Sequence, residues 1–406
     1  VRIALLTNEY PPHVYGGAGV HIEYLTRELQ RAESGRHEIR VYCFGNQKSC
    51  DGNLCVRGIE PHVELFPEEV QHKRFLDTML RDLLMAGLVD GVDIVHCHTW
   101  YTHLAGCLVK QLTGARLVLT THSLEPHRPW KVEQLGAAYH ASSWIERTAY
   151  ENADGVIAVS RSMRRDVMEL YGVPESRIRV IHNGIDLDQY QPRPDPAVLD
   201  RYGIDREKPY LLFVGRITRQ KGIIHLVNAI KHLRPGVQIV LCAGAPDTEE
   251  IGRELEASVA RARTETDNAI IWIAQIVPKD DLISIYTHAS VFVCPSVYEP
   301  FGIINLEAMA CGTPVVASAV GGIREVVVPE KTGRLVAFEP RGSLDFEPRD
   351  PEAFARDLAE AVNQLLADPA RLAQMGERSR ERVEHYFGWS SIARFTVDFY
   401  WDLYQS

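Results

Sequence analysis

At 406 residues, with Lys+Arg 44 against Asp+Glu 54 and a formal net charge of −10, the chain exceeds the size at which one core stops growing, so two globular domains with a cleft between them are expected. The acidic balance excludes a general basic field for nucleic acid and disfavours adhesion to anionic membrane, so any anionic ligand must be held by local groups. No run reaches the ~18 uninterrupted apolar residues of a spanning helix, and the apolar start over 1–7 is cut by Glu9 and Pro11-Pro12, too soon for a signal segment. It reads as a first buried strand of a soluble, cytoplasmic protein.

Short apolar strands alternate with amphipathic helices along both halves, the pattern of parallel sheets covered on both faces. In the first half strands are expected over 2–7, 38–44, 93–98, 115–121, 155–160 and 178–183, with a helix over 20–31. In the second half they are expected over 210–215, 238–243, 269–273, 289–295 and 313–317, with helices over 221–232 and 249–263. Pro192, Pro194 and Pro196 interrupt the chain between the halves, since proline continues neither a helix nor a central strand. The reading is therefore an α/β chain of two doubly wound, Rossmann-like domains, 1–192 and 197–388. An aromatic-rich helix over 389–406 is free to return to the first domain. The cysteines at 43, 50, 55, 97, 107, 242, 294 and 311 form no C-x-x-C pair and read as reduced, mostly buried thiols, with Cys50 and Cys55 alone in a loop-like stretch where they can pair.

In open parallel sheets ligands bind beyond the carboxyl ends of the strands. The first strand runs into Val14-Tyr15-Gly16-Gly17-Ala18-Gly19. Gly16 and Gly17 there open backbone N–H groups and a helix start to an anion, and a simple tight turn accounts for them equally. The strand over 210–215 leads into Gly215-Arg216 and Lys221-Gly222, where two fixed cations and a helix dipole suit a diphosphate, against the alternative of solvated basic side chains. The most informative stretch is Glu299-Pro300-Phe301-Gly302-Ile303-Ile304-Asn305-Leu306-Glu307. Its two glutamates flank a glycine at the start of an apolar helix, and a carboxylate on such a face needs partners that sugar and ribose hydroxyls supply.

These three motifs resemble glycosyltransferase family four, which has the GT-B fold, and the resemblance spans essentially the whole chain. It implies that Arg216 and Lys221 hold the diphosphate of a nucleotide-sugar donor, that Glu299 contacts the transferred sugar near the reacting centre, and that Glu307 binds the ribose. It also implies that backbone at Gly302, Ile303 and Ile304 touches sugar and phosphate, with Gly16 and Gly17 facing them from the first lobe. The resemblance further implies that the segment around Val277 is where the base, adenine or uracil, is faced. His122, just after the strand over 115–121, becomes a hydrogen-bond partner of the sugar, the bland alternative being a histidine that satisfies its own loop. Its setting, Thr120-Thr121-His122-Ser123-Leu124-Glu125-Pro126-His127, together with His96-Cys97-His98-Thr99-Trp100, looks like the short glycogen synthases of actinobacteria and their maltose-1-phosphate synthase relatives.

The implied activity is a retaining transfer of glucose from ADP-glucose to the 4-hydroxyl of an α-glucan or of glucose 1-phosphate. Larger glycogen and starch synthases carry a lysine where this chain has Val14 and an aspartate where it has Thr99, a departure that raises the small acceptor. His127, Arg128 and Lys131 are a candidate acceptor-phosphate site, with a solvated loop as the alternative. Fixed cations and helix starts neutralise a departing diphosphate, so no metal and no cofactor are expected. Asp186-Leu187-Asp188 reads as a turn and His96-x-His98 as a poor metal pair. The rival readings are a family member using UDP-glucose on another acceptor and a non-catalytic nucleotide-sugar-binding protein. A homo-oligomer stays open.

Overall fold

The computed structural model describes residues 1–14, 16–32, 36–343 and 345–405; Tyr15 of the glycine-rich motif lies outside them. The chain divides into two units, Val1–Gly184 with Trp389–Ser406, and Ile185–Gly388.

The first unit is built on β1 (Arg2–Thr7), β2 (Glu38–Phe44), β3 (Lys48–Asp51), β4 (Leu54–Ile59), β5 (Ile94–Cys97), β6 (Arg116–Thr121), β7 (Gly155–Ala158) and β8 (Ile178–Val180). Their order in the sheet is β3-β4-β2-β1-β5-β6-β7-β8. β1, β5 and β7 are buried almost throughout, which is why they read as continuous apolar runs. All pairings are parallel except β3 with β4. That hairpin sets Cys50 opposite Cys55 across a turn at Gly52, whose φ is +57°, and the two form a disulfide with Cα atoms 4.1 Å apart. The expectation of eight reduced thiols is corrected at these two positions, because the register makes them direct neighbours; the other six are free.

The C-terminal helix Trp389–Gln405 belongs to the first unit. Trp389, Ile392, Val397, Phe399 and Tyr400 are buried in one cluster with Ile3, Leu5, Ile22, Leu25 and Val41. Burial of each such large side chain contributes about 1.5–3 kcal/mol. Gly155 and Gly184 make room for it: a Cβ at either would lie 2.6 Å from Phe399 and Leu403, or from the Trp389 ring.

The second unit carries β9 (Tyr210–Arg216), β10 (Gln238–Gly244), β11 (Ile270–Ile273), β12 (Val291–Cys294), β13 (Val315–Ser318) and β14 (Gly333–Val336). They form a parallel sheet in the order β11-β10-β9-β12-β13-β14. Its core joins Leu211, Phe213, Ile239 and Leu241 to Leu226, Leu255, Phe354 and Leu358 of the covering helices. The division between the units falls at 184/185, ahead of the prolines expected to mark it. Pro196 is the first residue of the helix Pro196–Arg201, whose N-cap Asp195 accepts from Ala197 N–H, and Arg201 pairs with Asp281 at 2.6 Å inside the second unit. Pro196 thus marks a helix start.

Candidate active-site faces

At the carboxyl edge of the first sheet, β1 delivers Glu9. Its side chain is buried, and Oε2 accepts the Gly16 N–H at 2.7 Å. A Cβ on Gly16 or Gly19 would lie 3.0 Å or 2.6 Å from this carboxylate. A carboxyl group of the protein thus already faces the start of the helix Gly17–Arg31. The Gly16 amide expected for an external phosphate is engaged, and Gly16 and Gly19 are small because Glu9 packs on them. Sequence reasoning missed Glu9, although a lone acid directly after a buried strand was its signal.

His122 emerges from β6, half-buried, with Nε2 3.2 Å from Nδ1 of His98, which follows β5. The His21 ring meets His122 edge-on at 4.7 Å, and His21 Nδ1 lies 2.7 Å from Asn183 Oδ1. Burial, reinforced by the neighbouring imidazoles, drives the pKa of His98 and His122 well below the usual value, and burial takes His21 down to about 4. All three are uncharged at neutral pH. His96 is committed elsewhere, to Tyr400 Oη at 2.6 Å and Thr120 Oγ1 at 2.7 Å. Thr99 donates to Asn8 Oδ1 at 2.8 Å.

The three expected phosphate ligands fare unequally. Arg128 Nη1 donates to Ser123 Oγ at 3.2 Å and lies 3.6 Å from Oε1 of the buried Glu125. His127 lies 3.6 Å from Asp166, with burial lowering its pKa. Arg128 and His127 therefore each face a carboxylate, and Lys131 opens the short helix Lys131–Leu135. Glu125 belongs to a buried acidic cluster: its N–H donates to Glu146 Oε2 at 2.8 Å, and Ser142 donates to its own Oε2 at 3.2 Å. Burial first and Glu125 second raise Glu146 to about 8.

In the second unit, Lys221 and Glu299 come together. Lys221 Nζ donates to Glu299 Oε2 at 2.7 Å, and Ser296 Oγ donates to the same oxygen at 3.1 Å. Burial is the largest single influence and opposes the charge on Lys221, but Glu299, with Cys294 and Glu307 behind it, together raise the ammonium pKa. The backbone builds this pair from both sides. Val297 N–H donates to Gln220 C=O at 3.0 Å, and Gly222, at φ +63°, passes so close to Pro295 that a Cβ would lie 2.1 Å from its carbonyl oxygen. Gly302, at φ +96°, starts the helix Ile303–Ala310. Gly321 and Gly322 support the glutamate loop: Gly322 N–H donates to Glu299 C=O at 3.0 Å, and a Cβ on Gly321 would lie 2.0 Å from that oxygen. This glycine pair went unnoticed in the sequence, although Gly321-Gly322 follows a strand as Gly16-Gly17 does.

Arg216, at the end of β9, donates through Nη2 to Asp247 Oδ1. Glu307 accepts from Tyr190 Oη and Tyr286 Oη, both at 3.0 Å. Burial raises its pKa against these hydroxyls. The partners that a carboxylate here requires are thus two phenols of the protein. Val277 lies partly exposed beside the open Ile276, ahead of the helix Lys279–His288. Asp186 Oδ1 accepts the N–H groups of Asp188 and Gln189, both at 3.0 Å, the turn expected of it.

Residues 15–189 match Glycosyltransferase Family 4 and residues 196–382 match Glycosyl transferases group 1. The chain is 46% identical over 407 residues to alpha-maltose-1-phosphate synthase of Mycolicibacterium smegmatis, covering 98% of this chain and 99% of that one. It is 29% identical over 432 residues to a glycogen synthase of Mycobacterium tuberculosis, with 98% and 94% covered. Sucrose-phosphate synthase of Thermosynechococcus elongatus superposes with a TM-score of 0.77 at 26% identity, over 100% of this chain and 99% of that one. With two parallel Rossmann-like units of the GT-B type and near-complete alignment to such relatives, the chain belongs to glycosyltransferase family four and is a glycosyltransferase.

Proposed function

We propose that this glycosyltransferase moves glucose from ADP-glucose to the 4-hydroxyl of glucose 1-phosphate with retention of the α configuration, giving a disaccharide phosphate. The likeness at 46% identity to an alpha-maltose-1-phosphate synthase supports the small acceptor over the α-glucan of the more distant glycogen synthase. The observation that carries the chemistry is the Lys221–Glu299 pair, an ammonium fixed beside the carboxylate assigned to the sugar.

Lys221 and Arg216 receive the diphosphate and neutralise the charge that grows as the bond from C1 of glucose to the phosphate oxygen breaks. The acceptor O4 forms the new bond to C1 on the same face, and its proton passes to the departing diphosphate oxygen. Glu299 holds the sugar rather than attacking it, since its Oε2 is already engaged by Lys221 and Ser296. His122 donates to or accepts from a sugar hydroxyl, Glu307 addresses the ribose through lone pairs left over by its two phenols, and backbone at Gly302, Ile303 and Ile304 meets sugar and phosphate.

The test is turnover of purified protein with ADP-glucose or UDP-glucose, each offered glucose 1-phosphate or glycogen, following nucleoside diphosphate release and the anomeric coupling of the product by NMR. A disaccharide phosphate with a small axial–equatorial coupling is expected. Elongation of glycogen alone makes the chain a polymer synthase, and a trapped, kinetically competent glucosyl ester on Glu299 replaces the same-face route by a double displacement.

A further inference from the structure

We propose that His21, His98 and His122 form a binding site for a divalent transition-metal ion of the zinc class, and that the bound ion withdraws His122 from the sugar. The second half rests on the role proposed above for His122; the first does not. One ligand nitrogen from each of the three residues lies within 4.8 Å of the other two. His98 Nδ1 and His122 Nε2 are 3.2 Å apart, close to the ~3.3 Å edge of a tetrahedron with metal–nitrogen bonds of about 2.0–2.1 Å. The ring centroids are 5.5, 4.7 and 5.5 Å from one another. Imidazoles sharing one tetrahedral ion have centroids roughly 5 Å apart, so small side-chain adjustments converge the three on a common point.

The surroundings match a ligand set. Asn183 Oδ1 is an acceptor, so the His21 nitrogen facing it at 2.7 Å carries the proton and the other nitrogen keeps its lone pair, the arrangement by which an outer partner orients a metal-binding histidine. The three residues stand on the helix Gly17–Arg31 and beyond the ends of β5 and β6, separate elements of one unit. A donor set of neutral imidazoles selects zinc, copper or nickel over magnesium or calcium, and three protein ligands leave a fourth position for water. His122 is half-buried rather than sealed, which gives an ion a way in. His96 takes no part, since Tyr400 and Thr120 occupy its nitrogens. The weak His96-x-His98 pair is therefore replaced by a trio that only the fold assembles.

The experiment is calorimetric titration of the chelator-treated full chain with zinc chloride, beside visible spectroscopy with cobalt(II). One ion per chain, cobalt absorption of tetrahedral nitrogen ligation, at least tenfold weaker binding in His21→Gln and about 10–100-fold weaker binding in Asn183→Ala are expected. Absence of stoichiometric binding overturns the site, as does binding unchanged in His21→Gln. The cobalt spectrum of the unaltered chain reads the ligands even where a variant folds poorly. In turnover assays, zinc at the concentration that fills the site is expected to stop nucleoside diphosphate release, reversed by chelator; a filled site with undiminished turnover overturns the second half. Because titration needs no turnover, a chain inactive with every sugar nucleotide fails the proposed function and leaves the metal result standing.

Discussion

Lys221 Nζ lies 2.7 Å from Glu299 Oε2 across 78 residues of sequence, so the two groups assigned to opposite ends of the breaking bond hold each other before a donor arrives. On the proposed role of Lys221, an arriving diphosphate takes a cation that Glu299 already shares, and Ser296, which donates to Glu299 Oε2, is left to hold the carboxylate. Lys221→Ala is expected to lower kcat/KM by about 10²–10³ and stability by about 1–3 kcal/mol, because it leaves a buried carboxylate short of a partner. Turnover and urea unfolding of the same variant check both, and an unaltered rate removes Lys221 from the machinery.

Asp247 occupies Arg216, so the role proposed for Arg216 sets this carboxylate in competition with the diphosphate. Asp247→Asn is expected to tighten ADP binding by about 3–10-fold, up to about 1.4 kcal/mol. Weaker binding by calorimetry instead makes Asp247 the group that aims the guanidinium.

Arg128 faces the buried Glu125, whereas Lys131 stands at a helix start. Lys131→Ala is expected to raise KM for glucose 1-phosphate and to spare glycogen as acceptor. Arg128→Ala is expected to lower the melting temperature as well and to reduce both activities. Equal losses on both acceptors from Lys131→Ala remove it as a phosphate ligand.

His96 is fully buried, and burial lowers its pKa to about 3. A folded value below the unfolded ~6.5 means that the unfolded chain binds more protons between these limits. The stabilisation is complete above pH 6.5 and is lost as pH falls toward 3. At pH 5 the loss from this one group is about 2 kcal/mol. Urea unfolding at pH 7 and pH 5 is expected to show that difference shrink by this amount in His96→Gln; an unchanged difference assigns the acid sensitivity to other groups.

Most of the strands that sequence patterning found are buried on both faces, such as β1, β5 and β10. β3 escaped because each of its residues is exposed, leaving no apolar periodicity to read, and with it went the hairpin that pairs Cys50 with Cys55. β14, Gly333–Val336, is short and only partly buried. Within the site, residue types close in sequence were legible: Glu299, Gly302 and Glu307 fall on one loop and one helix. What stayed hidden were partners set by topology, including Asp247 for Arg216, Tyr190 and Tyr286 for Glu307, and Glu9 for Gly16. Local pattern records which face is buried, but not which distant side chain meets it there.

The return of the helix Trp389–Gln405 to the first unit makes residues 185–388 an insertion within that unit. During synthesis the first unit emerges early yet lacks Trp389, Ile392, Val397 and Tyr400 of its core until residues 389–405, which follow the whole second unit, have been made. The second unit is continuous and has its full set of strands before that point. The usual order, in which the N-terminal domain folds first, is therefore expected to invert here, the inserted unit maturing while the first unit still waits for the helix Trp389–Gln405.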